Sequence, residues 1–168
     1  MTPKIYDRAK IVYEESVQWG EHIVIDDFVF IVAKAETVLG DHVHIASFSS
    51  ITGGGVCHIG SYTAVSSGVR IFTGTEDLRG DSLFGAEIPD EYRRPIRSFV
   101  VIGKHCLIGA NSVILPGVTI PEGVVIGALS LVRMGSPLSP WGVYGGNPLR
   151  YLRDRPKGKI LEMEKEML

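Results

Sequence analysis

Two cysteines in 168 residues cannot build a disulfide framework, so a reducing compartment is expected. A basic excess is missing too. Lys and Arg number 17 against 19 Asp and Glu, a formal net charge of −2 with a pI near 6.2. A protein that coats nucleic acid needs a clustered positive surplus, and none is present. Long apolar runs are absent as well. The longest, Phe28–Ala33, is six residues, against the roughly 20 that cross a bilayer. The opening MTPKIYDRAK lacks the apolar core of a secretory signal, so a cytoplasmic location is expected. With 45% hydrophobic and 21% charged residues, the composition is that of one soluble globular domain.

Glycine, in contrast, is plentiful: 20 of 168 residues, or about 12% against roughly 7% in average proteins. It accompanies a repeat. Over 101–132 an aliphatic residue recurs every six positions, at Ile102, Ile108, Ile114, Ile120, Ile126 and Val132. Four places after each of the first five stands a small or β-branched residue: Cys106, Ser112, Val118, Val124 and Ser130. A helix repeats near 3.6 and a strand at 2, so a period of six means a short strand and a corner, three to a coil. Gly103, Gly109 and Gly127 follow the aliphatic, where a corner would need positive φ. Earlier, Ile25 and Ile31, then Leu39, Ile45 and Ile51, then Ile59, Val65 and Ile71 are six apart. Steps of eight join these groups, as coils of 20 residues with two extra at one corner would require, and Gly53–Gly55 fall at such a corner. The expected fold is an all-β parallel β-helix of about five coils.

Two stretches fall outside the repeat. Residues 72–99, FTGTEDLRGDSLFGAEIPDEYRRPIRSF, place six acidic and four basic residues between the coil tracts 19–71 and 100–146. A long excursion from a regular solenoid is more often functional than incidental. Residues 147–168 read as a helix whose Ile160, Leu161, Met163, Met167 and Leu168 would cover the open end of the coils. Residues 1–18 are expected to cap the other end, and the whole forms a single domain.

Residues 20–146 resemble the left-handed parallel β-helix of the hexapeptide-repeat acyltransferases. The closing WGVYGGNPLRYLRDR at 141–155 is similar to the way the sugar acetyltransferase branch ends its last coil. The left hand comes from the resemblance alone, because ordinary parallel crossovers are right-handed. The resemblance implies a homotrimer with active sites between subunits and acyl-CoA along the groove between solenoids. A flat-walled solenoid has no deep pocket, so a cleft must come from packed walls or from a loop. Galactoside and maltose acetyltransferases carry a histidine base at a hexad position filled here by Asn111. A sugar hydroxyl needs such a base, whereas a neutral amine attacks a thioester unaided and loses its proton afterwards. With the loop and the Gly-Asn-Pro ending, this resembles the subgroup acting on nucleotide-linked amino-dideoxy sugars. The implied reaction moves an acetyl or similar short acyl group from acyl-CoA to the sugar amine, with no metal. A sugar O-acetyltransferase and a non-catalytic scaffold are the alternatives.

Asp77, then Asp81, are the candidates to accept the ammonium proton or orient the amine, with Glu76 beside them to bind the acceptor. Ser67 would hydrogen-bond the acceptor or satisfy a corner. Asn111 would bind the acceptor or the oxyanion, or cap its corner. His105 shares a hexad slot with His42 and is a candidate base or thioester contact, or a surface-corner histidine. Gly109, Ala110, Gly127 and Ala128 would admit a thin pantetheine arm, although corners need small residues in any case. Arg150, beside Asn147 and Pro148, would pair bidentately with the phosphates of CoA; Arg133 and Arg153 rank below it. A zinc site on this fold needs three converging imidazoles, and His22 and His44, 22 apart, have no third at a short spacing. Cys106 fills an inward slot as core.

Overall fold

The hexads wind into three walls of short parallel strands, a β-solenoid of about seven turns. The structure, a computed structural model, describes residues 2–167. Wall A stacks Lys4–Ile5, Val24–Ile25, His44–Ile45, Ala64–Val65, Leu107–Ile108, Val125–Ile126 and Gly142–Gly145. Wall B runs from Lys10–Val12 through Arg70–Phe72 to Leu131–Val132, and wall C from Val17–Trp19 through Phe99–Ile102 to Val118–Ile120. Partners along a wall are 20 residues apart early, as His44 and Ala64, and 18 apart late, as Leu107 and Val125. The extra residues of the early coils lie at the corner between walls B and C, where Gly53–Gly55 were expected.

Register turns the period into a core. Val65 lies on Ile108, Ile71 on Ile114 and Ile102 on Ile120, so one hexad slot points inward on every rung. These side chains are all 0–1% exposed. Isoleucine suits the slot because its branched Cβ is stiff and packs well on a pleated surface. Each one fully buried contributes about 1.5–3 kcal/mol. Both cysteines are core, and burial pushes the Cys57 thiol up to about 12 and the Cys106 thiol up to about 11.

The corners differ from expectation in one respect. Positive φ falls not on Gly103, Gly109 and Gly127 but two residues later, on His105, Asn111 and Leu129, each at φ 57°. Gly103 and Gly109 are required for closeness instead. A Cβ on them would lie 2.7 Å from the Glu122 nitrogen and 2.4 Å from the Ala128 nitrogen of the next coil. The left-handed corner residues stack on one another. His22, His42, Tyr62 and His105 form a ladder at the corner between walls C and A, with ring centroids 4.8, 5.0 and 5.2 Å apart. Trp141 ends it at 5.9 Å.

Both termini are built otherwise than the sequence suggests. Residues 4–19 are a full first coil rather than a separate cap, because their three strands pair with the coil that follows. That coil, with the last partial one, raises the turns from the expected five to about seven. Arg150–Asp154 is a strand, not part of a helix. It folds back antiparallel on Gly142–Gly145 and covers the open edge of wall A. The helix is confined to Gly158–Met167. Its Ile160 and Leu161 are half-buried and its Met163 and Met167 exposed, while Leu168 lies outside the described residues. Among the described residues no helix is long and apolar enough to cross a membrane.

Polar contacts hold that helix. Glu164 accepts from Lys104 at 2.5 Å and pairs with His105 Nε2 at 2.9 Å. Arg155 donates to the Gly123 carbonyl at 2.9 Å and to the His105 carbonyl, and covers the Trp141 ring. The Lys104 bond, followed by the one to His105, holds the Glu164 carboxyl below the usual carboxylate range. A depressed carboxylate stabilises fully above its unfolded pKa and loses that contribution as pH falls through the folded value.

Ile108→Ala should therefore destabilise the fold by about 2–5 kcal/mol, read as a lower urea midpoint with an unchanged slope. Glu164→Gln should lower Tm by a few degrees at pH 7. In acid, well below the ordinary glutamate value of about 4.3, the difference from wild type should vanish.

Candidate active site

The coils are interrupted once, at the corner between walls B and C. The chain leaves after Arg70–Phe72 and returns at Phe99–Ile102, and both strands keep their places in the walls. A short antiparallel pair, Gly74–Thr75 with Ile96–Arg97, forms the neck of the excursion. Thr73 anchors it. Its buried hydroxyl donates to the Thr52 carbonyl at 2.9 Å and accepts from the Gly55 amide at 2.9 Å. Further out, Arg93 on the return arm donates to Glu76 on the outbound arm at 3.1 Å and to the Ala86 carbonyl at 3.3 Å.

Within the excursion Asp77 is 1% exposed, between exposed Leu78 and half-covered Glu76. Its Oδ1 accepts from the Arg79 amide at 3.0 Å and from Arg79 Nε at 3.2 Å. The backbone bond is the chief reason its carboxyl lies below the ordinary aspartate value, with the Arg79 side chain and the Asp81 amide adding to it. Asp81 itself is exposed. Asp77 Oδ2, Glu76 Oε2, Ser82 Oγ and Arg93 Nε are buried without a protein partner. Among the described residues all such side-chain atoms belong to this loop and none to the coils. Native proteins leave few buried polar groups unpaired, so their concentration here makes the excursion the candidate ligand-binding segment.

The excursion and wall B enclose a cleft of about 800 Å³. Val12, Phe30, Val32 and Phe72 supply an apolar wall, Gly53 and Gly54 a floor, and Glu76, Arg93 and Arg97 a polar side. Sequence reasoning found Glu76 here but missed the cations. Its usable signals were the Gly53–Gly55 run and the four arginines of the excursion.

The other candidates distribute over the corners in a definite way. Ser67, Gly109, Ala110, Asn111, Gly127 and Ala128 all lie at the corner between walls A and B, on the far side of wall B from the excursion. Ser67 and Asn111 are adjacent: the Asn111 amide donates to the Ser67 carbonyl at 3.0 Å. The Asn111 side chain lies over Gly68, whose Cβ would stand 2.1 Å from Oδ1. At Gly109 and Gly127 the amides already donate to the Ile126 and Tyr144 carbonyls, both at 2.7 Å. Asn147, with Arg133, lines a small cleft of about 160 Å³ at the end of this corner, and Arg150 stands exposed beside it. His105 is apart from all of these. It is 5% exposed in the ladder of the third corner, with Nε2 on Glu164. The five histidines do not line the large cleft. Among the described residues no three metal-ligating side chains cluster.

A solenoid of hexapeptide coils thus carries one polar excursion folded over a cleft of about 800 Å³. The family described as bacterial transferase hexapeptide (six repeats) matches residues 99–133. The dTDP-4-amino-4,6-dideoxy-D-glucose acyltransferase of Escherichia coli is 36% identical over 162 residues, 96% of this chain and 83% of that protein. AntD, an N-acyltransferase from Bacillus cereus solved in complex with dTDP and 3-hydroxybutyryl-CoA, matches with TM-score 0.87 and 32% identity. That match covers 97% of this chain and 85% of AntD. A maltose O-acetyltransferase from Clostridium difficile 630, at 24% identity, shares the fold with TM-score 0.69 over 84% of this chain and 72% of its own. The chain belongs to the hexapeptide-repeat acyltransferases.

Proposed function

We infer that the protein transfers a short acyl group from acyl-CoA to the amine of a nucleotide-linked amino-dideoxy sugar. The observation that carries this reading is the likeness, over 96% of the chain, to an acyltransferase named for a dTDP-linked 4-amino-4,6-dideoxy sugar. AntD supports it. Its structures include a complex with dTDP-4-amino-4,6-dideoxyglucose and Coenzyme A, and variants at a serine and an aspartate ten positions apart. Ser67 and Asp77 are ten positions apart in this chain.

In the reaction the amine lone pair attacks the thioester carbonyl, a C–N bond forms, the C–S bond breaks, and the departing thiolate takes up the proton that the amine gives up. The chain's part is to hold a neutral, oriented amine. Asp77 suits that task. Its depressed carboxyl is ionised at neutral pH and a poor proton acceptor, so it orients the neutral amine by accepting an N–H hydrogen bond rather than by taking its proton. Arg79 occupies Oδ1 and leaves Oδ2 for the acceptor. Because Oδ2 is buried, contact with the acceptor would require the 77–82 turn to shift. Ser67 and Asn111 face the acceptor or the oxyanion from the opposite corner, and Glu76 and Asp81 stand beside the amine.

For CoA, the amides of Ala110 and Ala128 donate to no protein acceptor among the described residues and can meet pantetheine. Gly109 and Gly127 contribute the absence of a side chain, and Asn147 and Arg150 stand near the phosphates. A homotrimer would close the wall-B cleft between copies, and sedimentation should then return about 55 kDa, three times the 18.3 kDa of one chain. The protein would work in the cytoplasm, where acyl-CoA is made. Hydroxyl acylation is the weaker reading, since it needs a base and His105 is held in its ladder.

Thiol release from acetyl-CoA, measured with nucleotide-linked amino sugars and with plain sugars, tests the assignment. Release with the amines is expected; release with hydroxyl acceptors alone would overturn it. Asp77→Asn should lower kcat by about tenfold or more while the KM for acyl-CoA stays within about twofold. An unchanged kcat removes Asp77 from the reaction.

A further inference from the structure

Two cations line the floor of the wall-B cleft, and neither meets a carboxylate of any described residue. Arg97, on the return arm of the excursion, lies across Gly54. A Cβ on Gly54 would come 2.3 Å from Arg97 Nη1, and that nitrogen donates to the Gly53 carbonyl at 2.6 Å. Gly54 sits at φ +69°, a conformation that glycine adopts at no steric cost. The missing side chain is therefore the space in which the guanidinium rests. Lys34, from the same corner one coil earlier, also borders that space: a Cβ on Gly54 would lie 3.6 Å from the Lys34 Cβ. Its ammonium makes no hydrogen bond or ion pair with any described residue.

The rest of the lining does not neutralise them. Among the described residues three cations and one carboxylate face the cleft, and that carboxylate, Glu76, is already paired with Arg93. The cleft thus carries a positive surplus on a chain whose net charge is −2. Its remaining lining is mostly apolar, with Thr75 among it and the exposed rings of Tyr13 and Phe30. A planar apolar group joined to two adjacent negative charges fits this arrangement, because a guanidinium and an ammonium that line one cleft both favour phosphate oxygens.

We propose that Lys34 and Arg97, on the Gly53–Gly54 floor, form a diphosphate subsite that holds the nucleoside diphosphate of the acceptor, with Tyr13 and Phe30 flanking the base. The proposal rests on the acceptor being nucleotide-linked. CoA also carries a diphosphate, so the experiment separates the two sources. Binding of thymidine diphosphate and of coenzyme A to the full-length protein is measured by titration calorimetry, for wild type, Lys34→Ala and Arg97→Gln. Lys34→Ala removes no hydrogen bond or ion pair among the described residues, so the fold should survive it; Tm verifies this for both variants.

The expected result is a loss of about tenfold in thymidine diphosphate affinity for each variant, a weaker salt dependence, and coenzyme A affinity within about twofold of wild type. Loss of coenzyme A binding alone would overturn the assignment to the acceptor. Unchanged binding of both ligands in folded Lys34→Ala would overturn the subsite. Because the readout is binding, it stands apart from turnover. A protein that binds the nucleotide through Lys34 yet releases no thiol would keep the subsite and lose the transfer reaction.

Discussion

Coil-on-coil register is the constraint from which the rest of this molecule follows. A strand of two or three residues has no stability alone; it persists because an equivalent strand lies one rung above and below it. Stacking in register forces the same hexad slot inward on every turn, which fills the prism with isoleucine and valine. It also forces the same backbone conformation at every corner. Among the described residues, ten non-glycine positions at positive φ would be a heavy burden singly. As ladders of stacked rings and hydrogen-bonded turns they support one another, and the strain at one rung is offset by contact with the next.

The same regularity leaves the walls flat, so chemistry enters where the register is suspended. The excursion departs and returns at one corner without shifting either neighbouring strand. The interior is thus unaffected by what the loop carries. Free of the ladder, the loop holds what the coils do not tolerate: a buried carboxylate, a cross-arm ion pair, and polar atoms without partners. The glycine run beneath it serves the same division. Gly53 and Gly55 pass close to the neighbouring backbone, and Gly54 makes room for an arginine from the returning arm.

Much of the architecture was legible because a strict period is a local property, visible in any two adjacent hexads. Ile102 through Val132 announce three-sided coils, and the steps of eight announce the wider corner. The interrupted segment was legible as the place where this arithmetic fails. The strand Arg150–Asp154 was not, because its side chains are exposed throughout and carry no period. It is a strand because an unpaired edge of wall A was available to it. Glycine was misread for a related reason. Sequence proximity suggested conformational freedom at Gly103 and Gly109, whereas the need is set by atoms of the following coil.

Candidate residues divide along the same line. Asp77 and Glu76 stood out as carboxylates in an excursion, and Ser67 and Asn111 as polar corner residues flanking it. His105 stood out as a histidine, but its surroundings are fixed by Glu164 and Trp141, 59 and 36 positions away. Lys34 and Arg97 carry no signal in the sequence that joins them; they meet only at Gly54, once the coils have stacked. By itself the sequence determined the coil, its core and the place of its interruption, since each depends on residues a fixed few positions apart. The tertiary structure decided which charges share a cleft, which carboxylate is covered and which histidine is withdrawn. Those outcomes depend on chain segments that meet only when the solenoid closes on itself.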